Sequence, residues 1–440
     1  MREHARTCAG LLAVGCQLVI NLFTGLIFYD RMRTKKEWGD RQVSEIKGNL
    51  QLMKEINSAV ILNELHRRGT LSRAELKTIT RLSATTVSSL VEELIAARMV
   101  VEVGERPSAG AGRRGIALRI NGAGGYVAGL SLSGEGLRYA IMDMHGKLIA
   151  SYETTNLGSG NEEIAARICE AMLDCSEKAA ELKAGELKGI GVSVPGIIDE
   201  ADETLVYSVH LNLKELRLKS LLEQRYPGIP VRILNDSNAA AFAEHYAGVG
   251  RGRNHLLYLL IGGGVGSGLI LHGRIFAGFK GGAGEIGHIP VLRNGKLCSC
   301  GQRGCLETEL SSSAILESSR QEARKLGRPI PNSAEEAVAR YEAGEGSGEF
   351  RELFERSAAL IAQLIATAVN FVSPEVVVLD GWMRSSQLIL RRVSEELERI
   401  PFAVPVSTER LLVSKYGDSG PLYGAATFIL KQLFKAPSLG

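Results

Sequence analysis

From Ile56 onward the apolar residues recur three and four positions apart: Val60, Ile61 and Leu65, then Leu71, Leu76 and Ile79, then Val87, Leu90 and Leu94. That period predicts three short helices in succession. Ser72 stands three residues before Glu75, the spacing of a reciprocal cap that starts the second helix, and Ser83 can cap the third in the same way. Between them Thr80–Ser83 is a turn of the length that joins the two helices of a helix-turn-helix. With Val87, Leu90 and Leu94 turned to a core, Thr85, Thr86, Ser88 and Ser89 face outward. Short hydroxyl side chains there suit a helix lying in the major groove of DNA, although a solvated polar helix carries the same residues. Val100–Val103 and Ile116–Ile120 alternate like two strands around a glycine-rich basic loop that holds Arg113 and Arg114. The loop reads as a wing, its arginines placed for the minor groove or for phosphates.

After Gly124 the pattern changes. Apolar runs of strand type, at Tyr126–Leu132, Leu137–Met142, Gly189–Val194, Leu256–Ile261 and Val376–Leu379, surround a helical stretch at Glu162–Leu182. The alternation predicts an α/β fold, with no sequence repeat visible.

Composition is that of an ordinary globular protein long enough for two or three domains, 45% hydrophobic and 23% charged over 440 residues. The net charge of +3 conceals a local excess: residues 32–121 hold 16 Lys/Arg and 10 Asp/Glu, a balance of +6. A nucleic-acid partner for that part fits the excess. The segment 11–28 is apolar and about the length of a membrane span, broken by Gln17, Asn21 and Thr24. It reads as a leader ahead of a working start at Met32, or as a membrane anchor that leaves the rest of the chain in the cytoplasm. A cleaved signal peptide fits less well, for lack of a small-residue site after the apolar run.

Three of the seven cysteines, Cys298, Cys300 and Cys305, crowd into eight residues, with His288 ten positions upstream. One imidazole and three thiolates can close a tetrahedral zinc site of the structural kind, which suits a reducing, cytoplasmic compartment better than a disulfide framework does.

The run from Gly284-Glu285-Ile286-Gly287-His288 to Cys298-Ser299-Cys300-Gly301-Gln302-Arg303-Gly304-Cys305-Leu306-Glu307 resembles the signature of the ROK family (repressors, open reading frames, kinases). So do Val194-Pro195-Gly196, Asn235-Asp236-Ser237-Asn238 and the turn Gly262–Gly268. The resemblance covers the chain from about Ile56 to its end. It implies a two-lobed actin-like (ribonuclease-H-like) sugar-kinase fold over 122–440, behind the winged helix-turn-helix already read over residues 32–121. It also implies that Asn235, Asp236, Glu285, His288 and Glu307 bond sugar hydroxyls, with Glu285 and Glu307 alternatively orienting the cysteine loop. His288 then has two tasks: one ring nitrogen on zinc, the other a committed donor to the sugar.

In the family's kinases the residue matching Asp236 is the catalytic base, and an Asp-x-Gly-Gly-Thr turn follows the first strand of the kinase fold. Here that turn reads Leu130-Ser131-Leu132-Ser133-Gly134-Glu135-Gly136, so a serine replaces the acid and Glu135 adds a negative charge. A second turn, expected beside adenosine, reads Leu379-Asp380-Gly381-Trp382. The expectation is therefore a sugar-responsive repressor acting on operator DNA as a homodimer or homotetramer, with structural zinc and no ATP. Its rivals are a sugar kinase that carries a DNA-binding domain, and a DNA-binding protein with an inert cleft. The residues do not choose among xylose, glucose and N-acetylglucosamine.

Overall fold

The computed structural model describes residues 35–106, 115–344, 348–401 and 408–435. The apolar segment 11–28 and the wing residues Arg113 and Arg114 lie outside them. Among the described residues no helix is long and apolar enough to cross a membrane.

The first helix, α1 (Lys35–Arg68), is far longer than the short helix expected from Ile56. Its leading residues mix charged positions with Trp38, Val43, Ile46, Gly39 and Gly48, so the helix as a whole carries no sustained apolar stripe to read. A short strand β1 (Leu71–Ser72) leads into α2 (Arg73–Thr80), and the expected capping box forms: the Ser72 hydroxyl accepts from Glu75 N at 3.2 Å, and Ser72 N donates to Glu75 Oε2 at 2.8 Å. α2 ends on Arg81, whose φ of 59° is left-handed. α3 (Ala84–Ala96) then starts from Ser83, whose Oγ accepts from Thr86 N at 3.1 Å. Strands β2 (Val100–Arg106) and β3 (Gly115–Ile120) pair antiparallel, with β1 on the other edge of β3. Ile61, Leu65, Leu76, Val87, Val91 and Leu118 form their core, and it continues without a break into Val127, Met142, Ile429 and Leu430. Residue 121 is therefore no break in packing, and the compact division falls between Ala59 and Val60.

Two five-stranded mixed sheets of matching topology follow. The first contains β4 (Tyr126–Ser133), β5 (Gly136–Asp143), β6 (Leu148–Thr154), β7 (Leu187–Val194) and β11 (Val231–Asn235), in the order β11-β7-β4-β5-β6. The second contains β12 (Leu256–Ile261), β13 (Val265–Leu271), β14 (Arg274–Ile275), β15 (Val376–Gly381) and β16 (Leu411–Val413), in the order β14-β13-β12-β15-β16. Each has an antiparallel hairpin beside a parallel trio. Three small strands, β8 (Ile197–Ile198), β9 (Leu205–Ser208) and β10 (Leu213–Leu216), form a side sheet whose leucines join the first lobe's core. The helix α4 (Gly160–Glu181) packs into that core through Ile164, Ile168 and Met172. The strands and helix expected after Gly124 are found within about three residues of their expected ends.

The short helix α5 (Leu218–Arg225) precedes β11. Then α6 (Asp236–Ala247) leaves the first sheet directly, packed against the long-range neighbour Gly420–Leu433 near the C-terminus. A Cβ on Gly424 would stand 1.8 Å from Ala239 O, so the two helices meet backbone to backbone. Glu244 of α6 is fully buried. Its carboxylate is satisfied by Ser414 Oγ and Lys415 N, both at 2.8 Å, with Val249 N at 2.9 Å, which makes an otherwise costly buried charge a tie between α6 and the segment before that helix.

Candidate functional site

Asn235 ends β11 and caps α6: its Oδ1 accepts from Asn238 N at 3.0 Å, while its Nδ2 donates to Gly196 O at 3.0 Å. One amide thus fixes the helix start and ties it to the Val194-Pro195-Gly196 turn. Asp236 is the first residue of α6, where the helix dipole and the Ser237 N–H, at 2.8 Å from Oδ1, favour its charge. Burial outweighs them and raises its pKa above the ordinary carboxylate value, with the imidazole of His210 pulling the other way. Glu285 is raised for the same first reason, opposed by His288 and reinforced by the charges of Asp236 and Glu307. Those mutual influences place Asp236, Glu285, Glu307, His288 and His210 in one electrostatic neighbourhood. Glu307 Oε2 accepts from Val265 N at 3.0 Å, which fastens the cysteine loop to β13.

His288, Cys298, Cys300 and Cys305 come together as expected, their ligand atoms all within 4.8 Å of one another. His288 Nδ1 lies 3.5 Å from Cys298 Sγ, and Cys300 Sγ lies 3.6 Å from Cys305 Sγ. Zinc–sulfur bonds of about 2.3 Å in a tetrahedron put sulfurs roughly 3.8 Å apart, so the two short pairs already match zinc and the whole set fits it with small side-chain shifts. With Nδ1 turned to the thiols, Nε2 points the other way and lies 3.8 Å from Glu285 Oε2. The imidazole thus turns one nitrogen to the cysteine sulfurs and the other to Glu285.

On the nucleotide side, the Ser133–Gly136 turn joins β4 to β5 as the glycine turn 262–264 joins β12 to β13. Ser133 Oγ accepts from Glu135 N at 3.2 Å and donates to Gly136 O at 3.4 Å, so it closes its own turn. The Glu135 carboxylate is 89% exposed there. Asp380 and Trp382 flank Gly381 in the turn expected beside adenosine. Both are buried: Asp380 accepts from Tyr258 OH at 2.6 Å, and Trp382 Nε1 donates to Leu310 O at 2.8 Å within the second lobe's core. They satisfy the interior and do not stand in the cleft.

At the other end of the chain, Ser83, Thr85 and Ser89 of the α3 region are exposed, while Thr86 and Ser88 are half-buried. Ser83 Oγ sits 2.8 Å from both Thr85 Oγ1 and Thr86 Oγ1, a hydroxyl cluster at the helix N-terminus.

Sequence reasoning missed His210, which carries no motif, and the junction of α6 with α1. Tyr246, ten residues along α6 from Asp236, hydrogen-bonds His66 Nε2 of α1. Burial pushes the pKa of the Tyr246 phenol up to about 12 and lowers that of His66, so the pair is a neutral one in which the imidazole tautomer sets which partner donates. His66 also packs at a tilt against Phe434 with ring centroids 5.2 Å apart, and Lys431 lies 5.3 Å from the Phe242 ring.

The ROK family model matches residues 127–432. The xylose repressor of Bacillus subtilis (strain 168) is 29% identical over 381 residues, covering 86% of this chain and 96% of that protein. Among solved structures, a ROK family transcriptional regulator described as a homologue of the E. coli MLC protein superposes with a TM-score of 0.74 at 24% identity, over 87% of this chain and 97% of that one. A ROK family glucokinase from Streptomyces griseus, solved with glucose and AMPPNP, gives a TM-score of 0.60 at 24% identity over 69% of this chain and 99% of its own. Both structures share the fold.

Proposed function

The chain belongs to the ROK family, and from that premise we propose that it is a sugar-responsive, DNA-binding transcriptional repressor of carbohydrate-utilisation genes. Residues 32–121 act as a winged helix-turn-helix, with α3 in the major groove presenting Ser83, Thr85, Thr86, Ser88 and Ser89, and with Arg113 and Arg114 gripping the backbone or the minor groove. Residues 122–440 bind a sugar through Asn235, Asp236, Glu285, His288 and Glu307. Zinc on His288, Cys298, Cys300 and Cys305 supplies a fixed imidazole orientation and no chemistry of its own. The protein acts in the cytoplasm, and two wings of a homodimer or homotetramer read a palindromic operator.

The observation that carries this reading is α6. It begins at Asp236 in the cleft and carries, about 15 Å along, Tyr246, bonded to His66 of α1, the helix that leads into α2 and α3. A helix locked to its neighbour at Gly424 and Glu244 moves as a body, so a sugar that shifts Asp236 also shifts the base of the DNA-binding helices.

A kinase reading has the same acceptor carboxylate at Asp236 but lacks a donor site. Ser131 takes the place of the acid expected beside magnesium, and Glu135 sets a negative charge at the phosphate turn. Without metal and donor positioning, phosphoryl transfer loses most of its rate. A coupled ATP-consumption assay across common hexoses and pentoses tests this. The expected result is no sugar-dependent turnover; turnover near about 1 to 1000 per second, abolished by Asp236→Asn, makes the protein a kinase.

A further inference from the structure

We propose that His210 is a sugar-contacting residue that determines specificity, reaching across the cleft from the first lobe to complete the donor set of the site. This rests on the sensor reading above.

The five residues carried by the family motifs leave the site rich in acceptors and short of donors. Asp236, Glu285 and Glu307 are carboxylates. Of the two donors, Asn235 commits one N–H of its Nδ2 to Gly196 O at 3.0 Å, which leaves its second N–H and His288 Nε2 to serve three carboxylates' worth of hydroxyls. A sugar hydroxyl donates one hydrogen and accepts on its oxygen, so a ring with several hydroxyls needs protein donors as well as acceptors.

His210 supplies one. It lies in the Ser208–Leu213 connection between β9 and β10, strands of the side sheet whose core belongs to the first lobe. Yet its Nε2 lies only 2.9 Å from where a Cβ on Gly264 would stand, and Glu307 Oε2 lies 2.9 Å from the same point. Gly264 and Glu307 both belong to the second lobe. The imidazole therefore spans the cleft beside a sugar-binding carboxylate, in space that exists because residue 264 is a glycine. Its influence on Asp236 and Glu285 places it among the acidic groups from a second direction. The backbone around it is held: Ser208 is fully buried and its Oγ accepts from Leu211 N at 3.3 Å, while Asn161 Nδ2 donates to Lys214 O at 2.7 Å. His210 itself is exposed. An exposed imidazole on an anchored loop, beside an acceptor-rich cleft, is placed for a ligand.

A contact of this kind meets one part of the sugar, so its loss should be felt by some sugars and not by others. The test is calorimetric titration of the full-length protein with D-xylose, D-glucose, D-mannose and N-acetyl-D-glucosamine, for the wild type, His210→Ala and His210→Gln. Zinc content and melting temperature serve as controls for the fold. For His210→Ala the expected result is an affinity loss of about tenfold for the tightest sugar, with another sugar in the panel losing less than about threefold. His210→Gln, which keeps a donor, should recover part of the loss. A parallel loss for every sugar, or an unchanged affinity ratio in a protein that binds sugar, overturns the role of His210 and leaves the sensor reading intact. A wild type that binds no sugar removes the sensor reading and this role with it.

Discussion

The chemistry of the cleft rests on a few side chains whose environments differ from what their types alone suggest. Asp236 titrates above the ordinary carboxylate range because burial outweighs its helix dipole and its hydrogen bond. A raised folded-state pKa means that the protonated form is favoured by folding, so stability is greater below the unfolded pKa and falls as pH rises through the folded value. Asp236→Asn should therefore raise the melting temperature at neutral pH, read by calorimetry, while weakening sugar affinity, because a charged acceptor becomes a neutral amide. The same shift predicts that wild-type sugar affinity falls on acidification before ordinary carboxylates protonate. A titration of affinity against pH that stays level well below neutrality would refute this. Cys300→Ser should lose the metal, measured as zinc per chain, and with it the sugar response, since His288 is then free to turn. The Cys/His cluster could be read in the sequence because spacing fixes its chemistry, whereas the carboxylates came only through the family resemblance. His210 could not, because a lone histidine between two short strands becomes informative only when the fold brings Gly264 opposite it.

At the scale of elements, the helices around Ser72 and Ser83 were legible because caps and apolar period agree, and both caps form. Ser72→Ala should cost about 1 kcal/mol of stability in denaturant unfolding, the usual worth of a cap. Neutralising Arg113 and Arg114 should weaken DNA binding across sequences and flatten its dependence on salt, whereas changing Thr86 should alter preference among operator variants. Gel shifts that stay unchanged in both variants would exclude α3 and the wing as the DNA-reading elements. The duplication of the two five-stranded sheets was not legible. It is a property of strand order and direction, which different side chains satisfy equally, so the two lobes share topology with no repeat in sequence. The start of α1 escaped for a related reason, since its apolar residues are scattered round the helix and leave no sustained period.

At the scale of the whole molecule, the account depends on coupling between the cleft and the DNA-binding helices. The core around Leu65, Val87 and Leu118 runs on into Met142 and Leu430, so the two functions share one packed interior. Tyr246 and His66 form the polar contact at that junction. Tyr246→Phe removes the hydroxyl and keeps the ring. Sugar affinity and operator affinity measured separately should then change little, while the effect of sugar on operator affinity shrinks, because coupling free energies of about 1 to 3 kcal/mol are within reach of one buried hydrogen bond. The most direct measurement for the central claim is an operator gel shift on the full-length protein, titrated with the sugar panel without nucleotide. The account predicts that at least one sugar changes operator affinity by about fivefold or more with no ATP present. Operator binding that no sugar alters, in a protein that binds those sugars, would contradict it.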